Sequence, residues 1–162
     1  MTNCSLFPSS RMGGARMSGF TLVELMITVV ILAIIVAVAL PSYNAQSQKA
    51  RRADARNALL DIAGREERFL SVSNAYSQLP SDVGYGGAAW PQNVTPNSYY
   101  SVTVTVPAPG FPAGTPSFLV TATPINVQAG DTTCATFTVN QIGQQTALNT
   151  GGVDTSTTCW GT

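Results

Sequence analysis

From Phe20 to Leu40 the chain reads FTLVELMITVVILAIIVAVAL, an apolar run whose single charge is Glu24. About 20 such residues suffice to cross a bilayer as a helix, and a helix apolar on every side has to be surrounded on every side. A plain membrane anchor accounts for the length, and so does a cleaved secretory signal, for which Ala37-Val38-Ala39 supplies a small-x-small pattern. Neither accounts for the carboxylate. At the centre of a membrane helix an acidic side chain costs about 2.5 to 3.5 kcal/mol on insertion scales, so an ionisable group inside such a run marks a function.

Charge is scarce in the rest of the chain, and its placement narrows the possibilities. Of 162 residues 10% are charged, with eight Lys and Arg, eight Asp and Glu, and no His. Lack of His removes imidazole zinc sites, Ser-His-Asp machinery and imidazole acid/base chemistry together. With a length suited to one modest domain, this composition argues against an enzyme and against a metal or cofactor site. Ten of the sixteen charges lie between Lys49 and Arg68, and no Lys or Arg follows Arg68. Nucleic-acid affinity comes mainly from cations that displace counterions from phosphate, so a DNA-binding surface beyond Arg68 is disfavoured. The cluster Lys49, Arg51, Arg52 and Arg56 reads first as a solvated or salt-bridged helix face and only second as a DNA contact.

The segment Gly19-Phe20-Thr21-Leu22-Val23-Glu24-Leu25, preceded by a leader with Arg11 and Arg16 and followed by the apolar run, resembles the class III signal of type IV pilins and pseudopilins. The resemblance implies that a prepilin peptidase cuts after Gly19 on the cytoplasmic side and that the new amino terminus, Phe20, is methylated. It also implies that the Glu24 carboxylate pairs with the terminal amine of a neighbouring subunit. The chemistry is coherent, because a lone carboxylate and a lone ammonium are each costly in hydrocarbon and cancel one another's penalty when helices stack in register. Positive-inside counting opposes the implied orientation, since Arg11 and Arg16 before the run face Lys49, Arg51, Arg52 and Arg56 after it. The more specific motif takes precedence. The stretch MTNCSLFPSS carries no charge, and a start at Met12 gives a more compact leader, MGGARMSG; in either case Cys4 leaves with the leader, and two cysteines remain.

From Pro41 onward the pattern becomes amphipathic. Pro41 lacks a backbone donor and is expected to kink or loosen the helix. Beyond it Ala55, Leu59, Ile62, Ala63, Phe69 and Leu70 recur at helical spacing with charges opposite, and Asp61 and Arg65 stand at i,i+4 with the acid first. Gly64 weakens the helix by about 1 kcal/mol, which packing has to offset. The helix is expected to run from Phe20 to about Ser73, roughly 80 Å at about 1.5 Å per residue. Residues 74–98, broken by Asn74, Pro80, Gly84, Gly86, Gly87, Pro91 and Pro96, read as a loop, with Tyr76, Tyr85 and Trp90 as aromatic anchors rather than a ligand site. Tyr99–Val106, Ser117–Thr123 and Thr133–Val139 alternate with period two and read as strands, with PAPGFPAGTP joining the first two and a turn at Gly143.

Cys134 and Cys159 flank a segment rich in Gly, Thr and Asn. In an exported chain this favours a disulfide, worth roughly 3.5 kcal/mol for a loop of about 25 residues, over a free or metal-binding pair. Residues 141–158 hold little apolar surface and are expected to depend on that tie for order. The features Thr121-Ala122-Thr123-Pro124, Asp131, Cys134, Gly143 and Cys159-Trp160 resemble the PilE-type minor pilins of type IVa systems. The combined expectation is an α+β pilin fold. Residues 1–19 form a removed leader and 20–41 a membrane or filament-core helix. Residues 42–162 form a periplasmic or extracellular head, with an amphipathic helix 42–73, a loop 74–98, a sheet of three to four antiparallel strands in 99–140 and a disulfide region 134–159. The implied function is that of a structural subunit of a type IV pilus, supporting biogenesis, twitching motility and adhesion. It sits first in the inner membrane and then in the extracellular filament. Its implied partners are other pilin subunits, the prepilin peptidase, the inner-membrane assembly machinery and membrane lipid. A DNA-uptake receptor and a type II secretion pseudopilin are the alternatives.

Overall fold

The computed structural model describes residues 19–93, 95–112 and 114–161, with Pro41 described by its backbone alone. Residues 1–18 of the expected leader, with Cys4, Arg11, Met12 and Arg16, lie outside the described residues. The chain divides after Pro41 into two units, and each has its own logic.

In the first unit, helix α1 (Leu22–Ser73) starts from a capping arrangement: the Glu24 N–H donates to Thr21 Oγ1 at 3.2 Å, and the Leu25 N–H donates to the Thr21 carbonyl at 3.1 Å. Thr21 with Glu24 three residues on has the capping-box spacing, of which the Thr21 half is formed, satisfying one donor that a helix start leaves free. From Leu22 to Leu40 every side chain is exposed. Burying even one Leu or Ile is worth about 1.5 to 3 kcal/mol, so this segment has a large amount of apolar surface that the described residues leave uncovered. The helical assignment continues through Pro41 without a break.

In the second unit α1 buries a stripe made by Arg52, Ala55, Leu59, Ile62 and Glu66, at helical spacings of three and four. Apolar residues fill the middle, and a charged residue stands at each end. The helix stops where Asn74 takes φ 56°, the left-handed conformation that asparagine tolerates, with its N–H donating to the Leu70 carbonyl at 2.8 Å.

The stripe covers a four-stranded antiparallel meander of β1 (Tyr100–Thr105), β2 (Leu119–Pro124), β3 (Thr136–Asn140) and β4 (Gln145–Leu148), in that spatial order. Register places Val102, Ala122, Phe137 and Ala147 in one inward row and Val104, Val120 and Val139 in another. On the other face Thr103, Thr121, Thr138 and Thr146 form an uncharged row, the arrangement expected of a half-buried sheet. Aromatic edges close the core: Phe137 lies 5.9 Å from the Tyr100 ring and 5.8 Å from the Trp160 ring. Tyr76, Tyr85 and Trp90 pack against it from the loop as expected.

The C-terminal region is more ordered than its composition suggests. Within 141–158 the chain forms β4, and helix α2 (Ser156–Trp160) follows. The Asn149 side-chain oxygen accepts from the N–H groups of Gly151 and Val153, both at 2.9 Å, so the turn is built by local side-chain bonds rather than by apolar burial. The disulfide joins Cys134 to Cys159 across 25 positions, with Cα atoms 5.9 Å apart. It ties β3's approach to α2, where Trp160 Nε1 donates to the Thr146 carbonyl at 2.9 Å.

Candidate functional site

The first candidate site is the start of α1. Gly19 and Phe20 precede the helix and are exposed. Among the described residues a Cβ at Gly19 would meet nothing within 4 Å. Among the described residues no hydrogen bond reaches the Glu24 carboxylate, while its backbone N–H is held by Thr21. The role of Thr21 as the helix cap went unread in the sequence, although the T-x-x-E spacing before an apolar run signals it.

The second candidate site is the basic face of the head helix. Here the structure distributes the cations among tasks within the head. Arg52 is buried and forms two bonds to Asp131, Nε to Oδ2 at 2.7 Å and Nη2 to Oδ1 at 2.8 Å. Asp131 also accepts from Gln128 Nε2 at 3.0 Å and from the Cys134 N–H at 3.2 Å, so one carboxylate joins α1, the turn before β3 and the disulfide. Arg56 donates to the Trp160 carbonyl at 2.8 Å, and Arg51 stacks 4.7 Å from the Tyr99 ring centroid. Of the positive flank that sets the positive-inside count against the implied orientation, Arg51, Arg52 and Arg56 are thus engaged within the head. Lys49 and Arg68 are the exposed cations that make no ion pair among the described residues.

The loop after α1 is held by carboxylates. Arg65 pairs with Asp61 at 2.8 Å, as the i,i+4 spacing predicts, and also donates to the Val83 carbonyl. Tyr85 donates to Asp61, and this bond, with Arg65, lowers the Asp61 pKa below its ordinary value. Tyr76 donates to Glu67 at 2.9 Å. Glu66 is fully buried, and burial pushes its pKa up to about 7. Neither Arg52 nor Glu66 is visible as a buried residue from composition; their positions on the apolar stripe at i−3 of Ala55 and i+4 of Ile62 are the signal that would have found them.

Comparison with known proteins bears on both sites. Residues 14–40 match the family described as "Prokaryotic N-terminal methylation motif", and residues 41–138 match the family described as "Type IV minor pilin ComP, DNA uptake sequence receptor". A curated relative, the "Type IV major pilin protein PilA" of Myxococcus xanthus, is 31% identical over 70 residues, covering 43% of this chain. The chain spans about a third of that relative's length, 32%. A solved type IV pilin from Shewanella oneidensis aligns over 60% of this chain and 89% of its own at 26% identity, with a TM-score of 0.42. With the methylation motif leading into the apolar helix and the minor-pilin family covering most of the head, the chain is a type IV pilin and belongs to the ComP-type minor pilin family.

Proposed function

We propose that this chain is a structural, non-enzymatic subunit of a type IV pilus. The observation that carries the reading is the exposed apolar segment Leu22–Leu40 with one free carboxylate at Glu24. Such a surface needs lipid before assembly and neighbouring helices after it. A prepilin peptidase cuts after Gly19 and the new terminus, Phe20, is methylated; the match of residues 14–40 to the N-terminal methylation motif supports this. Glu24 then pairs with the Phe20 amine of a neighbour and sets the axial register. Removing one partner of a buried ion pair costs about 3 to 5 kcal/mol, so Glu24→Ala is processed and inserted but enters filaments poorly. Normal amounts of this variant in sheared filaments would overturn the assignment.

The match of residues 41–138 to a family described as a DNA uptake receptor favours a second reading, in which the head also binds DNA. The cation placement argues against a strong contact: Arg52, Arg56 and Arg65 are bonded within the head, and β1 through α2 hold no Lys or Arg. A gel shift with duplex DNA at low salt separates the two readings. Filament subunit alone predicts weak, sequence-independent retardation lost by physiological salt, whereas sequence-dependent retardation that survives it establishes the receptor role.

A further inference from the structure

Ser77 stands between two carboxylates. Its N–H donates to Glu66 Oε2 at 3.1 Å and its hydroxyl donates to Asp82 Oδ2 at 2.6 Å, while the Leu79 N–H donates to Ser77 Oγ at 3.0 Å. Glu66 is fully buried on the inner stripe of α1, and its second oxygen, Oε1, has no partner. The charged groups nearest it carry the wrong sign to help: Glu67 beside it on α1 and Asp82 from the loop both disfavour its anion. Tyr76 faces the same region and gives its hydroxyl to Glu67, while Arg65 is taken by Asp61 and the Val83 carbonyl. A carboxylate enclosed in this way, with one N–H and no cation, is unfavourable as an anion and acceptable as an acid.

We propose that a single proton on Glu66 sets how firmly residues 74–84 are clamped to α1, the clamp being tight below neutrality and loose above it. Protonated, Glu66 keeps a carbonyl oxygen for the Ser77 N–H and brings no charge into the core. Ionised, it demands solvation at Oε1, and water reaches that oxygen by displacing the segment that covers it. The direction follows from the shift itself. Burial raises the Glu66 pKa from 4.5 to about 7, so the closed segment holds the proton more tightly than the open one. Its stabilisation is complete below about 4.5, declines as pH rises through about 7, and is level above that. Two-state linkage with these values gives a roughly 30-fold rise in the opening equilibrium between about pH 5.5 and about pH 8.5.

The test is hydrogen exchange measured by mass spectrometry on the full chain in detergent, across that pH range, with rates corrected for intrinsic exchange. In peptides covering 74–84 the corrected exchange rate is expected to rise with pH to a plateau, with its half-rise midpoint near 7, while peptides from β1 through β3 stay level. Glu66→Gln preserves shape and acceptor without the charge, and its loop is expected to be pH-independent at the wild-type low-pH level. Asp82→Asn, which removes a facing like charge, is expected to lower the midpoint. Flat wild-type behaviour, a Glu66→Gln loop that still follows pH, or an unmoved midpoint in Asp82→Asn overturns the proposal.

Discussion

Asp131→Ala probes the junction on which the head depends. The Asp131 side chain is 1% exposed and accepts four bonds, two from Arg52, one from Gln128 and one from the Cys134 N–H. Truncation strands a guanidinium that is itself only 10% exposed. A buried charge left without its partner costs about 3 to 5 kcal/mol, and the orphaned Gln128 and Cys134 donors add to that figure where water does not reach them. Net stabilities are about 5 to 15 kcal/mol, so this change removes a large share of the total. Thermal unfolding followed by near-ultraviolet circular dichroism is expected to drop by roughly 10 to 20 °C for a unit of this size. Arg52→Met leaves Asp131 with two of its donors, and the double variant Arg52→Met/Asp131→Ala is expected to be at least about 2 kcal/mol less damaged than the sum of the singles. An Asp131→Ala cost under about 1 kcal/mol, or additive behaviour in the cycle, would refute the junction.

Three further outcomes follow from the same core. Replacing Cys134 and Cys159 together by Ser is expected to cost roughly 3 to 4 kcal/mol by loop-closure entropy, read as a lower urea midpoint with an altered slope. Phe137→Ala, at a fully buried position between two aromatic rings, is expected to cost about 3 to 5 kcal/mol in the same assay. Thr121→Val, on the outer face of β2, is expected to change stability by less than about 0.5 kcal/mol, because that row supplies solubility rather than packing.

The long helix, its apolar first part and the first three strands were legible because each rests on local periodicity: an apolar run, i,i+3/i+4 spacing, and alternation such as Tyr100-Ser101-Val102-Thr103-Val104. The disulfide was legible from parity once Cys4 was assigned to the leader. Other elements were not legible, for physical reasons. Gln145-Thr146-Ala147-Leu148 presents one fully buried side chain, Ala147, too weak a pattern to mark a strand; tertiary pairing with β3 makes it one. The Arg52–Asp131 contact joins residues 79 positions apart, and no local rule sets that register. Arg52 and Glu66 read as solvated because charge normally faces water, whereas the stripe they end is buried along its whole length. Asn74, read as one of several breakers, proved to be the residue that ends α1.

In the proposed function the chain is processed at Gly19 and built into a filament through the Leu22–Leu40 segment. Intact-mass spectrometry of sheared filaments tests it most directly. The expected result is a species beginning at Phe20, heavier by one CH2 for the methyl that replaces an amine hydrogen and lighter by two hydrogens for the Cys134–Cys159 disulfide. A filament fraction without this chain, or one in which it retains residues before Phe20, would overturn that function.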